Sequence, residues 1–207
     1  MKVKVLLCLT MLAIFAVPAL ADSYSVQVGY ADGLRGGGFF PLPWDGDAGV
    51  IFNGFSEGSA YDAGAIMITN TSGVSITVND ILVDIGGFTF DLWGSQVLAP
   101  GEMWIVTQTH DYNFDTSDIL AGPCGVNNGI IPTVKVTVDG SPTTFSDSGQ
   151  VLNTSGYDFA CVGNESFRWR PIGTVGGPAG TPEPASLVLF GTGLLGIGSR
   201  AWKRFIG

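Results

Sequence analysis

The segment Ala65-Ile-Met-Ile-Thr-Asn-Thr-Ser-Gly-Val-Ser-Ile-Thr-Val-Asn-Asp-Ile-Leu-Val-Asp-Ile85 decides the fold class. Its apolar residues follow a period of two, the spacing that sends alternate side chains to opposite faces of a strand. Ala65–Thr69 reads as a strand and Asn70-Thr-Ser-Gly73 as a turn cluster. Val74–Val78 and Ile81–Ile85 read as two further strands around Asn79-Asp80. No stretch of this kind carries the 3.6-residue period of an amphipathic helix.

The same pattern extends in both directions. Upstream, Ser23–Val28 alternates and forms a first strand, whereas Gly29–Gly49 carries Gly36-Gly-Gly38, Pro41-Leu-Pro43-Trp44 and Asp45-Gly-Asp47 and reads as a long surface loop. Its triple glycine lacks the lysine and following helix of a phosphate-binding loop. Downstream, Phe88–Trp93 alternates. Leu98-Ala-Pro100-Gly101-Glu102 suits a type II turn, because proline fixes φ at one central position and glycine permits positive φ at the next. Met103–Thr107, Thr133–Val138, Thr143–Phe145, Val151-Leu152, Tyr157–Cys161 and Phe167–Arg170 follow, with turns at Asp139-Gly140 and at a second Asp-Ser-Gly. Short strands at roughly 8–12-residue spacing predict an all-β fold, an antiparallel β-sandwich. The turn cluster after one strand and the Pro-Gly turn leading into the next resemble immunoglobulin-like and lamin-tail-like exported domains, a likeness that implies a sandwich and no ligand.

The two ends differ from this body. Met1-Lys2-Val-Lys4 is a positive leader, Val5–Val17 an apolar core, and Ala19 and Ala21 are the small residues a signal peptidase accepts, so residues 1–21 read as a signal helix cleaved after Ala21. At about 13 residues the apolar run is short of the ~20 that span a bilayer. Residues 22–172 are the expected body, and 173–181, with its glycines and prolines and no charge, a linker. Pro182-Glu183-Pro184 is locally extended. Residues 185–199 are uncharged and apolar, about 22 Å long as a helix against a ~30 Å hydrocarbon core, with Arg200, Lys203 and Arg204 at the far end. A transmembrane helix of this length needs the stems of those basic residues to reach the interface, and they hold the C-terminus in the cytoplasm.

Charge narrows the partners. Between Asp22 and Gly180 four cations, Arg35, Lys135, Arg168 and Arg170, oppose seventeen acidic residues. A body this acidic repels phosphate backbones, which excludes nucleic acid as a partner. Export leaves two cysteines, Cys124 and Cys161. In an oxidising compartment the pair favours one disulfide, stabilising by about 4 kcal/mol in the chain-entropy model, with two separate thiols as the other reading.

Few residues suggest chemistry. His110, the one histidine, has no serine or cysteine partner in a recognisable motif and reads as an exposed loop residue, which argues against an enzyme. Asp111, Asn113, Asp115 and Ser117 place oxygen side chains at alternate positions, as calcium loops do, but Thr116 stands where the EF-hand bend needs glycine and Gly122 where its bidentate glutamate belongs. Calcium is therefore the weaker reading and an ordinary edge strand the other; no other cofactor is indicated. Asn70-Thr-Ser, Asn153-Thr-Ser and Asn164-Glu-Ser fit the glycosylation pattern and are read as turn residues. Trp44, Trp93, Trp104 and Trp169 are read as core first and as a sugar-binding face second.

Pro182-Glu183-Pro184, the Leu/Gly-rich stretch containing Gly191-Thr-Gly-Leu-Leu-Gly196 and the basic end together resemble the PEP-CTERM sorting signal of Gram-negative bacteria. The resemblance implies recognition by an exosortase, an integral membrane enzyme, through Pro182, Glu183 and Pro184. Cleavage is expected there, residues 185–199 would span the membrane, and Arg200, Lys203 and Arg204 would act as the stop. It further implies a final place at the cell surface or in an exopolysaccharide matrix. The basic cluster is interrupted by Ala201-Trp202, where the family has a tighter run. A glycosylphosphatidylinositol tail would end apolar, and no Leu-Pro-x-Thr-Gly sortase motif is present. The expectation is thus a non-enzymatic exported protein, with a surface carbohydrate- or calcium-binding module as the alternative.

Overall fold

A computed structural model describes residues 23–33, 40–55, 61–110, 126–156 and 165–176. These residues form two facing sheets. One has the strand order β10 (Phe167–Val175), β1 (Tyr24–Asp32), β3 (Asp62–Asn70), β7 (Met103–Val106) and β2 (Val50–Asn53). The other runs β5 (Phe88–Phe90), β4 (Ile76–Ile85), β8 (Thr133–Val138) and β9 (Ser141–Ser146), with β6 (Gln96–Leu98) also pairing with β4. The expected sandwich is therefore present, and Asp22–Gly176 forms one compact unit. The two expected terminal helices lie outside the described residues, among which no helix is long and apolar enough to cross a membrane.

The core lies between the sheets. Val26, Val28, Ile66, Ile68, Trp104 and Val106 from the first meet Ile76, Val78, Ile81, Val83, Ile85, Val134, Val136 and Val138 from the second. Strand β4 is one strand where the sequence suggested two. Val78 pairs with Val138 but Asp80 with Thr137, so Asn79 is an extra residue, a β-bulge. The bulge resets the alternation, which lets Ile76 and Val78 on one side and Ile81, Val83 and Ile85 on the other all point inward. Asn79 Oδ1 accepts the Gly140 amide at 2.8 Å, so the bulge is tied to the Asp139-Gly140 hairpin turn. Asp139 and Gly140 both have positive φ, 46° and 79°, the twist that a two-residue hairpin requires.

Strand β3 is buried on both faces. Ile66 and Ile68 face the second sheet, while Ala65 and Met67 join Ala31 and Ile105 in a second cluster on the outer side. The expected surface loop supplies the cover for that side. Residues 29–32 continue β1, and further on Trp44 stacks with Phe40 (centroids 5.5 Å) and packs against Phe52, Tyr61 and Trp169. Asp47 shapes this cover by accepting the Trp44 amide at 2.8 Å. Aromatic burial thus outweighs the turn-forming composition of the segment.

Further departures concern pairing. Strands β2 and β7 run parallel, from Val50↔Met103 to Asn53↔Val106, because the chain passes through β3–β6 before returning beside β2. Val151-Leu152 lies in a turn ahead of the short 3₁₀ segment Thr154–Gly156, not in a strand. Strand β10 runs through Val175, three residues into the expected linker. Val26 pairs with Gly173, and the Phe145 ring lies so close to Gly173 that a Cβ there would sit 2.3 Å from it. Only glycine permits that approach.

The edges on this side carry prolines. In the β8–β9 hairpin Pro142 opposes Thr137, one step beyond the pair that closes the turn, so its missing N–H would have pointed outward. Strand β10 carries Pro171, exposed Arg168 and Arg170, and two register shifts.

Asn70 closes the end of the sandwich. It is fully buried, donates to Val74 O at 2.8 Å and Leu98 O at 2.9 Å, and accepts from the Ser72 amide and hydroxyl. Both nearby turns, 70–74 and the Pro100-Gly101 turn with Gly101 at φ 81°, are thereby held together. Replacing Asn70 with Ala takes its side-chain donor from buried Leu98 O, leaves Val74 O with the Ser72 hydroxyl, and is expected to cost about 2–4 kcal/mol. Urea denaturation of the purified variant checks this; a loss below about 1 kcal/mol would show that Asn70 is not the tie.

Candidate functional site

Most residues singled out from sequence lie outside the described ones: Ala19 and Ala21, Cys124 and Cys161, the Asp111, Asn113, Asp115 and Ser117 loop, Asn164, and Pro182, Glu183, Pro184, Arg200, Lys203 and Arg204. His110 is described and exposed, its ring stacked on Phe55.

Of the four tryptophans singled out, three are core and Trp169 is half-buried against the outer cluster. Trp104, Trp93 and Trp44 are 1%, 6% and 7% exposed. Trp93 donates its indole N–H to Thr107 O at 2.7 Å, and Trp169 donates to Pro43 O at 3.1 Å. Trp44, Trp93 and Trp104 offer no exposed face for stacking a sugar. Asn70 and Asn153 are likewise buried, with their amides engaged inside the fold, as turn residues would be.

One convergence was not visible in the sequence. Asp32 at the end of β1, Asp62 at the start of β3 and Glu165 just before β10 each bring a carboxylate oxygen within 4.8 Å of the others. Asp32 and Glu165 are fully buried. Asp32 and Asp62 meet because they are direct partners in the β1–β3 register, and Glu165 stands 133 positions from Asp32 in sequence. No local motif signals such a group. Asp32 Oδ2 accepts the Glu165 amide at 3.1 Å, the Ser166 hydroxyl donates to Asp32 O at 3.3 Å, and the Tyr30 hydroxyl contacts Asp62 Oδ1 at 3.4 Å. Three carboxylate oxygens supply about half the ligand set that calcium takes. The hydrogen bonds show what the group does within the fold: it clamps the start of β10 onto the end of β1.

A second acidic pair lies on the outer side of the other sheet. Burial raises the Asp80 carboxyl above its ordinary value of 3.8, the Asp91 charge and a hydrogen bond shared with Asp91 raise it further, and Lys135 opposes them. Burial, with the neighbouring Asp91 charge second, thus works against the ionised Asp80 at the bulge.

As a class, the chain is an exported protein whose C-terminal address leads to a membrane-embedded sorting enzyme. The PEP-CTERM protein-sorting motif matches residues 181–204. That motif implies export, membrane-associated sorting in a Gram-negative bacterium and an exosortase as processing partner. No curated protein matches the chain.

The acidic pair yields a prediction with a definite sign. A carboxyl raised in the fold favours the protonated form, so the ionised Asp80 destabilises the fold above its raised value. As pH falls through that value the folded protein takes up the proton first, and the penalty is gone below 3.8, where the unfolded chain is protonated too. Asp80→Asn is expected to melt modestly higher than the parent at neutral pH, with the advantage fading on acidification. A melting difference that persists unchanged at acid pH would rule out charge as the cause.

Proposed function

We propose that this chain is a non-enzymatic protein of the cell surface or extracellular matrix, delivered and released through its two ends. The N-terminal signal is removed after Ala21, and the acidic sandwich is translocated. Residues 185–199 hold it in the inner membrane, with Arg200, Lys203 and Arg204 on the cytoplasmic side. An exosortase reads Pro182, Glu183 and Pro184 and cuts at or near them, freeing the body. The observation that carries this reading is the sorting-motif match at 181–204 behind a compact β-sandwich.

The division of labour has a physical basis. An extended, proline-flanked tripeptide offers its backbone to an enzyme cleft, which a strand inside a sheet cannot do. The interrupted basic cluster still supplies three cations as a stop. Cys124 and Cys161 lie within the exported part and would be bridged there.

Mass spectrometry of the mature protein's termini in its host tests the reading. The expected product begins at Asp22 and ends at or near Pro182–Pro184. Intact Gly207 on every molecule would refute processing and leave a permanent anchor. Glu183→Ala should accumulate as the longer, membrane-bound form, detectable as a mass shift.

A further inference from the structure

The two sheets part beside β9 and β10, the edge strands of the second and first sheet. Phe145 closes the seam against Gly173. Just beyond it the chain leaves β9 at Asp147, turns, and leaves a cavity of about 460 Å³ against β10. One wall is polar, with exposed Ser146, Ser148 and Gly149; the other is apolar, with Phe167, Pro171 and Ile172; and Arg170 is the cation of the lining.

One irregularity lies on these walls and another in the turn that follows them. Gln27 pairs with Pro171 but Val26 with Gly173, so Ile172 is an extra residue in β10, a bulge of the kind that re-aims side chains beside functional sites. The turn contains Gln150, Thr154 and Ser155 with φ of 53°, 52° and 62°, and a β-branched residue such as Thr154 is a genuine outlier there. An amide network over-determines this strained turn. Gln150 donates to Ile130 O at 2.7 Å, Asn153 donates to the same oxygen at 3.0 Å, and Asn127 donates to Gln150 Oε1 at 2.7 Å. Asp147 is buried, and its Oδ2 accepts the Leu152 amide at 2.8 Å. The Ile172 bulge and the buried Asp147 carboxyl thus stand in the walls themselves, and the braced turn fixes the segment that carries Asp147.

We propose that this cavity binds a short, neutral oligosaccharide. Its volume falls in the range of ligand pockets. A sugar ring carries an apolar face, which matches Phe167, Pro171 and Ile172, and a rim of hydroxyls, which matches Ser146, Ser148 and the guanidinium donors of Arg170. The ligand is neutral because Arg170 stands in a body where four cations oppose seventeen acidic residues, a field that repels polyanions. The inference does not depend on whether the tail is cut.

Saturation-transfer NMR tests it, with the full chain in a sugar-free zwitterionic detergent and maltohexaose, cellohexaose, laminarihexaose and oligogalacturonate as probes. At least one neutral probe should receive saturation. Gly149→Phe should abolish the transfer while leaving the melting temperature unchanged, because a Cβ at 149 meets Asp147 and Val151 at an ordinary 3.6 Å and the ring then fills the cavity. Arg170→Gln should weaken binding about tenfold, as loss of a charge-assisted hydrogen bond does. Transfer to no neutral probe, transfer that survives Gly149→Phe, or transfer to oligogalacturonate alone would each overturn the proposal.

Discussion

The arrangement depends on one strand being buried on both faces. Ile66 and Ile68 of β3 need the second sheet, while Ala65 and Met67 need a cover on the opposite side. A fully buried aliphatic side chain contributes about 1.5–3 kcal/mol, so neither face can be left wet without a large share of the stability being lost. This constraint places β3 between β1 and β7 and recruits Trp44 and Phe40 from an otherwise irregular segment. The domain is thus three layers locally, with aromatic side chains standing in for a third sheet.

Amides do the joining that ion pairs do elsewhere. Asn70 holds two turns together, Asn79 ties a bulge to a hairpin, and Asn127, Asn153 and Gln150 brace the turn after β9. Charged residues are only 13% of the chain, and most are acidic. A neutral amide can donate and accept at once, and it avoids the desolvation penalty of a buried ion. Where carboxylates are buried, as at Asp32 and Asp147, they accept backbone amides.

Legibility divided along contact range. The hairpin at Asp139-Gly140 with its flanking strands β8 and β9 and the Pro100-Gly101 turn were readable, because each depends on residues next to one another, whereas β6 was not. The β4 bulge was visible only as a break between two supposed strands, since its cause is the register against β8. The extension of β10 over Gly173 was hidden because glycine there answers to Phe145, nearly thirty positions away, and not to local flexibility. The meeting of Asp32, Asp62 and Glu165 likewise exists only once β1, β3 and β10 are side by side. The sorting address was plain in the sequence for the opposite reason: it is read as a linear string by another protein and needs no partner within the chain.

Pro142 and Pro171 bear on the protein's life before it reaches its destination. On the route proposed above, the chain waits at a membrane surface, a two-dimensional crowd in which neighbours meet side by side. Bare strand edges in that setting would zip laterally into continuous sheets. A missing donor on β9, together with guanidinium groups and register breaks on β10, denies a neighbour the regular ladder it would need. On that route the same two prolines, silent within the fold, act as spacers that keep neighbouring copies of the chain separable.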